Sequence, residues 1–293
     1  MAWTRFAFQS LRSCFRSWRN TPRIIVVVGM VLSFVIIYAV PFVENAKMQG
    51  ETLQITEVYT ALMNWRFTML LFSTAILIFF GDIPVREPFT TNMLMRGTRR
   101  CWVTGQIFYV VIASFAISIL IFGMTILVAV PNIHLQNEWS RPVKLMTYSG
   151  RVAIYSERMI TIHKSILTDY TPNQAFLHSF ILFFSLGCFY GLASLALNMK
   201  FRSASFILLM SINALSWAAG MFVFEQSEYA ILSILSAHYH ASLYSHAAQV
   251  ANPLLPSVTE SYAIFLCVIC IFIVIINMMV KRYDYCQAEE FVS

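Results

Sequence analysis

Three of the six histidines, His238, His240 and His246, crowd into a nine-residue stretch. Imidazole nitrogens hold zinc and related cations, so a metal centre is the first chemistry to weigh. Their spacing argues against it. Residues two and six apart do not stack on one helical face, and no cysteine lies nearby to complete a set. No metal site is expected. The six cysteines, Cys14, Cys101, Cys188, Cys267, Cys270 and Cys286, all fall outside the external loops assigned below. Neither disulfides nor a cysteine-built zinc or redox site is expected from them. The chain also lacks G-x-x-x-x-G-K-[ST] for nucleotide phosphates, H-E-x-x-H, and the G-x-S-x-G nucleophile elbow. No catalytic residue and no resident cofactor is assigned, and the chain is not expected to be an enzyme.

The remaining polar candidates sit beside or inside apolar blocks. Arg66 heads one such block, where a charge at the bilayer centre would cost roughly 2.5–3.5 kcal/mol, so it is expected to snorkel unless it lines a polar pathway. Asn213, midway along another block, and His178, near the start of a third, are pathway candidates too, with helix-to-helix hydrogen bonding as the simpler role. No apolar block carries the acid or acid-and-histidine pairs that proton-driven carriers use as relays.

What must position these side chains is set by composition. Hydrophobic residues make up 58% of the 293 and charged residues 12%, against roughly 45–50% and about 25% in soluble domains. The mean hydropathy is +0.68. The apolar residues fall in blocks of bilayer-spanning length, roughly 17–25 residues. An all-α polytopic membrane protein follows, one transmembrane domain over residues 1–293 with six transmembrane helices. They are expected at 24–43, 65–83, 102–130, 173–199, 203–224 and 260–280. Pro22 suits the first helical position, and Ser257 with Glu260 forms a capping box before the last helix. The first block is long, lacks a convincing cleavage site and follows a basic stretch, so it reads as a retained anchor.

A net charge of +6 could suggest nucleic acid, but the cations gather beside apolar blocks, where they report orientation. Thirteen of the 20 Lys and Arg fall on one side: Arg5, Arg12, Arg16, Arg19, Arg23, Arg86, Arg96, Arg99, Arg100, Lys200, Arg202, Lys281 and Arg282. Both termini are therefore expected in the cytoplasm of a cell, most simply a bacterial one, with no nucleic-acid partner.

Before the first span, in residues 1–23, Phe8, Leu11, Phe15 and Trp18 recur at spacings of three and four, with Arg5, Arg12, Arg16 and Arg19 about a quarter-turn round the wheel. That pattern predicts an interfacial helix, its rings at the acyl boundary of membrane lipid and its arginines at the phosphates. The loop 131–172 carries a helical stripe of Val152, Tyr155, Met159, Ile162 and Ile166. The segment 225–259 passes through YAILSIL, too short to cross, which suits a helix that dips in and returns. Gly187 with Gly191, Ala214 with Ala218, and Ser216 with Gly220 have the small-xxx-small spacing that lets helices pack closely, inside the chain or between two copies.

The segment 84–101, within DIPVREPFTTNMLMRGTRRCW, is built as a short cytoplasmic helix. Pro84 and Pro88 stiffen its start, Phe89, Met93 and Leu94 lie on it, and Gly97 can end it. A mere turn needs fewer residues, so it reads as a docking surface for a cytoplasmic partner. An aromatic and basic interfacial helix, six spans, this helix between spans two and three, a re-entrant stretch before the sixth and the basic tail KRYDY together resemble the permease subunit of type-2 ABC exporters. The likeness is one of layout over the whole chain, without a diagnostic motif.

The resemblance implies a separate ATP-binding subunit that carries ATP and Mg, and a second permease copy or homologue. It implies a coupling segment of Arg86, Glu87, Pro88, Phe89, Met93, Arg96 and Gly97, and a connecting helix matching Phe8 to Trp18. The loop 131–172 is longer than such permeases usually have. The expected function is ATP-driven export of an amphipathic or hydrophobic cargo, with a membrane sensor or scaffold as the alternative.

Overall fold

The structure, a computed structural model, describes residues 2–18, 21–84, 99–150, 160–201, 204–225, 235–246 and 255–281. Among these residues are twelve α-helices and one pair of two-residue strands, an all-α membrane architecture. In chain order they are α1 (Ala2–Ser17), α2 (Pro22–Met48), β1 (Leu53–Gln54), α3 (Glu57–Asn64) and α4 (Arg66–Phe79, continued by a 3-10 turn, Phe80–Asp82). Then come α5 (Arg99–Ala129), β2 (Ile133–His134), α6 (Arg141–Ser149), α7 (Lys164–Asp169), α8 (Pro172–Phe201), α9 (Ala204–Glu225), α10 (Ala237–Ala241), α11 (Leu243–His246) and α12 (Val258–Met279).

Five of these, α2, α5, α8, α9 and α12, are long and apolar enough to cross a bilayer, and the bent pair α3–α4 brings the number to six. Their starts follow local chemistry. Pro22 opens α2, and Ser257 opens α12 by accepting from the Glu260 N–H while its own N–H donates to Glu260 Oε2 at 2.6 Å. The first span outruns its expected end at 43 because α2 stays helical to Met48, with Asn45 and Ala46 turned fully inward.

The second span departs further from expectation. Reading 65–83 as its whole extent leaves the residues before it in an external connection, yet α3 lies there with all eight residues buried and meets α4 at 86° across Trp65. At eight residues it is too short to register as a span. The loop 131–172 is corrected as well. In its described part 160–163 is not helical, and α7 begins only at Lys164 behind an N-cap at His163. Ile162 and Ile166 are both buried but do not share one helix; Val152, Tyr155 and Met159 lie outside the described residues.

α8 is the spine of the bundle: 67% of its apolar stretch is buried, against 11% for α12, and it packs on α3, α4, α5, α9, α10 and α12. Arg23 pairs with Asp82 at 2.6 Å, Arg99 donates to the Lys281 carbonyl at 3.2 Å, and Asn198 donates to the Gly81 carbonyl at 3.1 Å. The basic connections therefore share one end of the bundle, where α1 also packs. The opposite, capped end holds the parallel β1–β2 pair, α6 and α7.

Candidate functional site

Several of the polar side chains that the apolar bundle encloses lie where its helices are interrupted. At the capped end, Glu57 opens α3 and is completely buried. Its carboxylate accepts from the Ser140 N–H at 2.6 Å and from the Gln54 N–H at 2.9 Å. Buried polar atoms need hydrogen bonds in place of water, and here those bonds tie β1, α3 and the start of α6 together. Thr56 adds a bond to the Pro172 carbonyl, and Gln54 donates to Asn173 Oδ1 at 2.9 Å, which fixes the cap to the first turn of α8.

The corner between α3 and α4 frees backbone carbonyls, and polar side chains reach in to bond some of them. Thr68 Oγ1 donates to the carbonyls of Leu62 and Trp65, and Trp217 Nε1 donates to that of Arg66 at 3.1 Å. These side-chain bonds brace the break. Asn64, the last residue of α3, is a junction: its amide donates to the Thr60 carbonyl and to Ser179 Oγ. Its Oδ1 accepts from the Tyr244 N–H at 3.1 Å and from Ser242 Oγ at 3.4 Å. The elbow of α3–α4 and the broken pair α10–α11 thus meet through one side chain.

Deeper in the bundle His238 of α10 is held by two helices, α4 and α9. Asn213 donates to Thr74 Oγ1, which leaves its Oδ1 as acceptor for His238 Nε2 at 2.9 Å, while Ser73 Oγ lies 3.4 Å from the same nitrogen. The proton is then on Nε2, and Nδ1 is a buried acceptor that no described residue engages. Beside it a cleft of about 20 Å³ is lined by Arg66, Met69, Trp217, Met221, His238 and Ser242, room for about one water. Arg66 was expected to snorkel or to line a polar pathway, and it lines this cleft. Its guanidinium lies over the Tyr244 ring, 5.2 Å from the centroid, with Nη1 3.0 Å from Met221 Sδ.

The three histidines separate as their spacing implies. His240 bonds Ser261 Oγ at 2.8 Å and His246 donates to the Pro256 carbonyl at 3.0 Å, each away from His238. Among the described residues no group of three His, Cys, Asp or Glu could hold a metal ion. The sequence does contain one C-x-x-C pair, Cys267 and Cys270, but both thiols are free and exposed on the least covered helix, α12. His178, a pathway candidate, bonds Tyr262 Oη at 2.7 Å, the helix-to-helix role.

The re-entrant stretch is present in altered form. What enters the bundle is the polar segment 236–246, anchored by Ser236 Oγ donating to the Ser216 carbonyl at 2.7 Å and by the His238 N–H donating to Ser216 Oγ. Residues 229–234 of YAILSIL lie outside the described residues. A Cβ on Gly220 would approach Ser236 Oγ at 3.1 Å, so the Ser216 and Gly220 pair serves this internal contact. Gly187 and Gly191 bring α8 against Ser114 and Val110 of α5. Ala218 is half-buried, and Ala214 alone of the six faces outward. The coupling residues Arg86, Glu87, Pro88, Phe89, Met93, Arg96 and Gly97 lie outside the described residues.

At the other end α1 forms, but its buried face differs from the expected one. Ala7, Ser10 and Cys14 are buried while Phe8 is 65% exposed. Ser10 Oγ donates to the Trp102 carbonyl at 2.9 Å, and Gly105 of α5 lies so close that a Cβ there would fall 2.5 Å from that of Ser10. Trp18 Nε1 donates to Tyr109 Oη at 2.8 Å, and Phe15, Trp18, Phe79 and Tyr109 form an aromatic cluster. The rings of Phe15 and Trp18, expected at the acyl boundary, are used against protein, and Leu11 is half-buried beside them. Comparison of the chain with protein-family models, with curated proteins and with solved structures finds no match.

Proposed function

We propose that this chain is the membrane-spanning subunit of a transporter that moves an amphipathic or hydrophobic cargo, powered by a separate ATP-binding subunit at the α1 end. The observation that carries the reading is the meeting of two interrupted elements at Asn64 inside a lipid-embedded bundle. Breaking a helix in hydrocarbon strands backbone polar groups unless protein or a watery cavity surrounds them, and transporters use such breaks where cargo or ions pass. An anchor has no use for the polar seam of Asn64, His238, Asn213 and Ser73. The cleft beside it combines the polar Arg66 and His238 with the apolar Met69, Trp217 and Met221, a lining that suits a cargo with both characters. At about 20 Å³ it has room for about one water, so passage of a larger cargo requires the seam to part.

Under this reading the segment 84–101 docks on the ATPase, with Arg86, Glu87, Pro88, Phe89, Met93, Arg96 and Gly97 as the contact, and a second copy or homologue completes the path. Closure of the ATPase on ATP would switch the bundle between two arrangements through that element. Purification of the chain from its native membranes tests this directly. An ATP-binding protein should come with it, and replacing Phe89 and Arg96 should sever that association and stop transport while insertion is kept. A chain recovered alone, whose loss leaves ATP turnover in the membrane unchanged, refutes the proposal.

One observation favours a second reading, a sensor or scaffold. The cap stapled by Glu57 borders an open basin of about 910 Å³ lined by Glu51, His134, Glu138, Trp139, Arg141 and Lys144. A sensor should respond to substitutions around Tyr155 and Met159 and be indifferent to Phe89 and Arg96.

A further inference from the structure

We propose that the outward face of α1 is a binding surface for anionic phospholipid headgroups, with Arg5, Arg12 and Arg16 as its cationic contacts. This inference does not depend on the transport reading. α1 carries no acidic residue. Spacings of seven and four place the three arginines within about 40° of one another on the helical wheel. All three are exposed, on the side opposite the buried Ala7, Ser10 and Cys14. Phe8, 65% exposed, stands beside them and offers a ring to the acyl boundary.

The depth of the stripe follows from what α1 grips. α5 is 31 residues long, about 46 Å at 1.5 Å per residue, which exceeds a hydrocarbon core of about 30 Å. α1 pairs with the first turns of α5, from Trp102 to Tyr109, where Arg99 and Arg100 mark the polar end. The contact therefore lies at headgroup level, and the hydrogen-bonded Trp18 and Tyr109 pair has the amphipathic character of that layer. Because Gly105 and Ser10 lock α1 to a span, the stripe is held at the membrane without recruitment, and little ordering is needed when phosphates engage it. An acidic protein would match the charge but not the neighbouring exposed ring.

The test uses the full chain purified in a nonionic detergent and titrated separately with phosphatidylglycerol and phosphatidylcholine, bound lipids being counted by native mass spectrometry. The wild type should prefer phosphatidylglycerol. Each Arg→Gln substitution should cut that preference roughly fivefold, and R5Q/R12Q/R16Q together on the order of a hundredfold. Labelling of the buried Cys14 checks that α1 stays docked in the variant. The triple Arg→Lys variant should keep the preference, since headgroup phosphates answer to charge. Equal binding of the two lipids by the wild type, or an undiminished preference in a docked triple Gln variant, overturns the proposal. So does a Lys variant as indifferent as the Gln variant.

Discussion

Replacing Gly105 with alanine puts a methyl group 2.5 Å from Ser10 Cβ, 2.6 Å from Ser10 Oγ and 2.7 Å from the Ala7 carbonyl. Ordinary contacts between such atoms lie about 1 Å further out, so α1 and α5 must separate. Overpacking of this kind costs about 1–3 kcal/mol. The separation also strains the Ser10 to Trp102 and Trp18 to Tyr109 hydrogen bonds, 2.9 and 2.8 Å long in the docked helix, each worth about 1 kcal/mol. Taken together the docking of α1 should weaken by about 2–3 kcal/mol, a factor of roughly 30–140 in its opening equilibrium. Cys14 reports that equilibrium because it is completely buried in this contact. In a chain whose other cysteines are replaced, its labelling by a maleimide should require opening and should accelerate by the same factor. Adding Ser10→Gly should restore only part of the protection, since the Ala7 carbonyl remains in the way. Gly123→Ala, where nothing lies within 4 Å, should change nothing. Unchanged labelling of Cys14 in Gly105→Ala would show that α1 is not held by this contact.

At the cap, Glu57→Gln keeps one acceptor but turns an amide N–H₂ toward the second backbone N–H. The protein should lose about 1–3 kcal/mol, seen as a lower Tm in detergent and faster proteolysis within 131–171. In the seam, His238→Leu or Asn213→Leu strands the buried partner and should cost about 1–3 kcal/mol each, whereas the double variant should cost less than their sum by 1 kcal/mol or more; additive losses refute the pairing. Burial pushes the His163 imidazole below its ordinary pKa, and its Nδ1 accepts from the Ser165 N–H to cap α7. The depressed value means that the cap's contribution is complete above about pH 6.5 and is lost as pH falls below it. Protection of the Ser165 amide from exchange, taken relative to its intrinsic rate at each pH, should therefore fall on acidification, and His163→Asn, which caps without titrating, should flatten that response.

The spans were legible because a bilayer imposes a length and a composition that 20 or more consecutive apolar residues cannot hide. Ser257 and Glu260 announced α12 for a similarly local reason, since a capping box closes within four residues. The buried acid at Glu57 was not legible. Nothing adjacent to it in sequence signals burial, and one of its donors, the Ser140 N–H, lies 83 residues away. The same limit hid Asn64, whose partners sit on α8 and α11. For α1 the large side chains misled: Phe8, Leu11, Phe15 and Trp18 make the visible stripe, whereas close approach to Gly105 selects the small Ala7, Ser10 and Cys14. A small residue at a helix contact has meaning only once its partner is known, and the partner here is 95 residues further on.

The bond lengths inside the bundle say where it can open. The staple at Glu57 is held by two short bonds to backbone N–H groups at 2.6 and 2.9 Å, and at the elbow Thr68 and Trp217 bond the carbonyls of Leu62, Trp65 and Arg66. The contacts of segment 236–246 with α3 and α4 are looser: Ser242 to Asn64 spans 3.4 Å, Ser73 to His238 3.4 Å, and the Tyr244 N–H to Asn64 3.1 Å. Neutral bonds near the limit of hydrogen bonding give up little when water replaces them. The His238 Nδ1 acceptor and the neighbouring cleft already offer that water a place. A bundle that must part to pass cargo would therefore part between α10–α11 and α4, with α3 and the stapled cap moving as one body. The polar groups of the seam are what make such a parting tolerable in lipid, because an apolar interface opened to water loses its contacts and gains nothing in return.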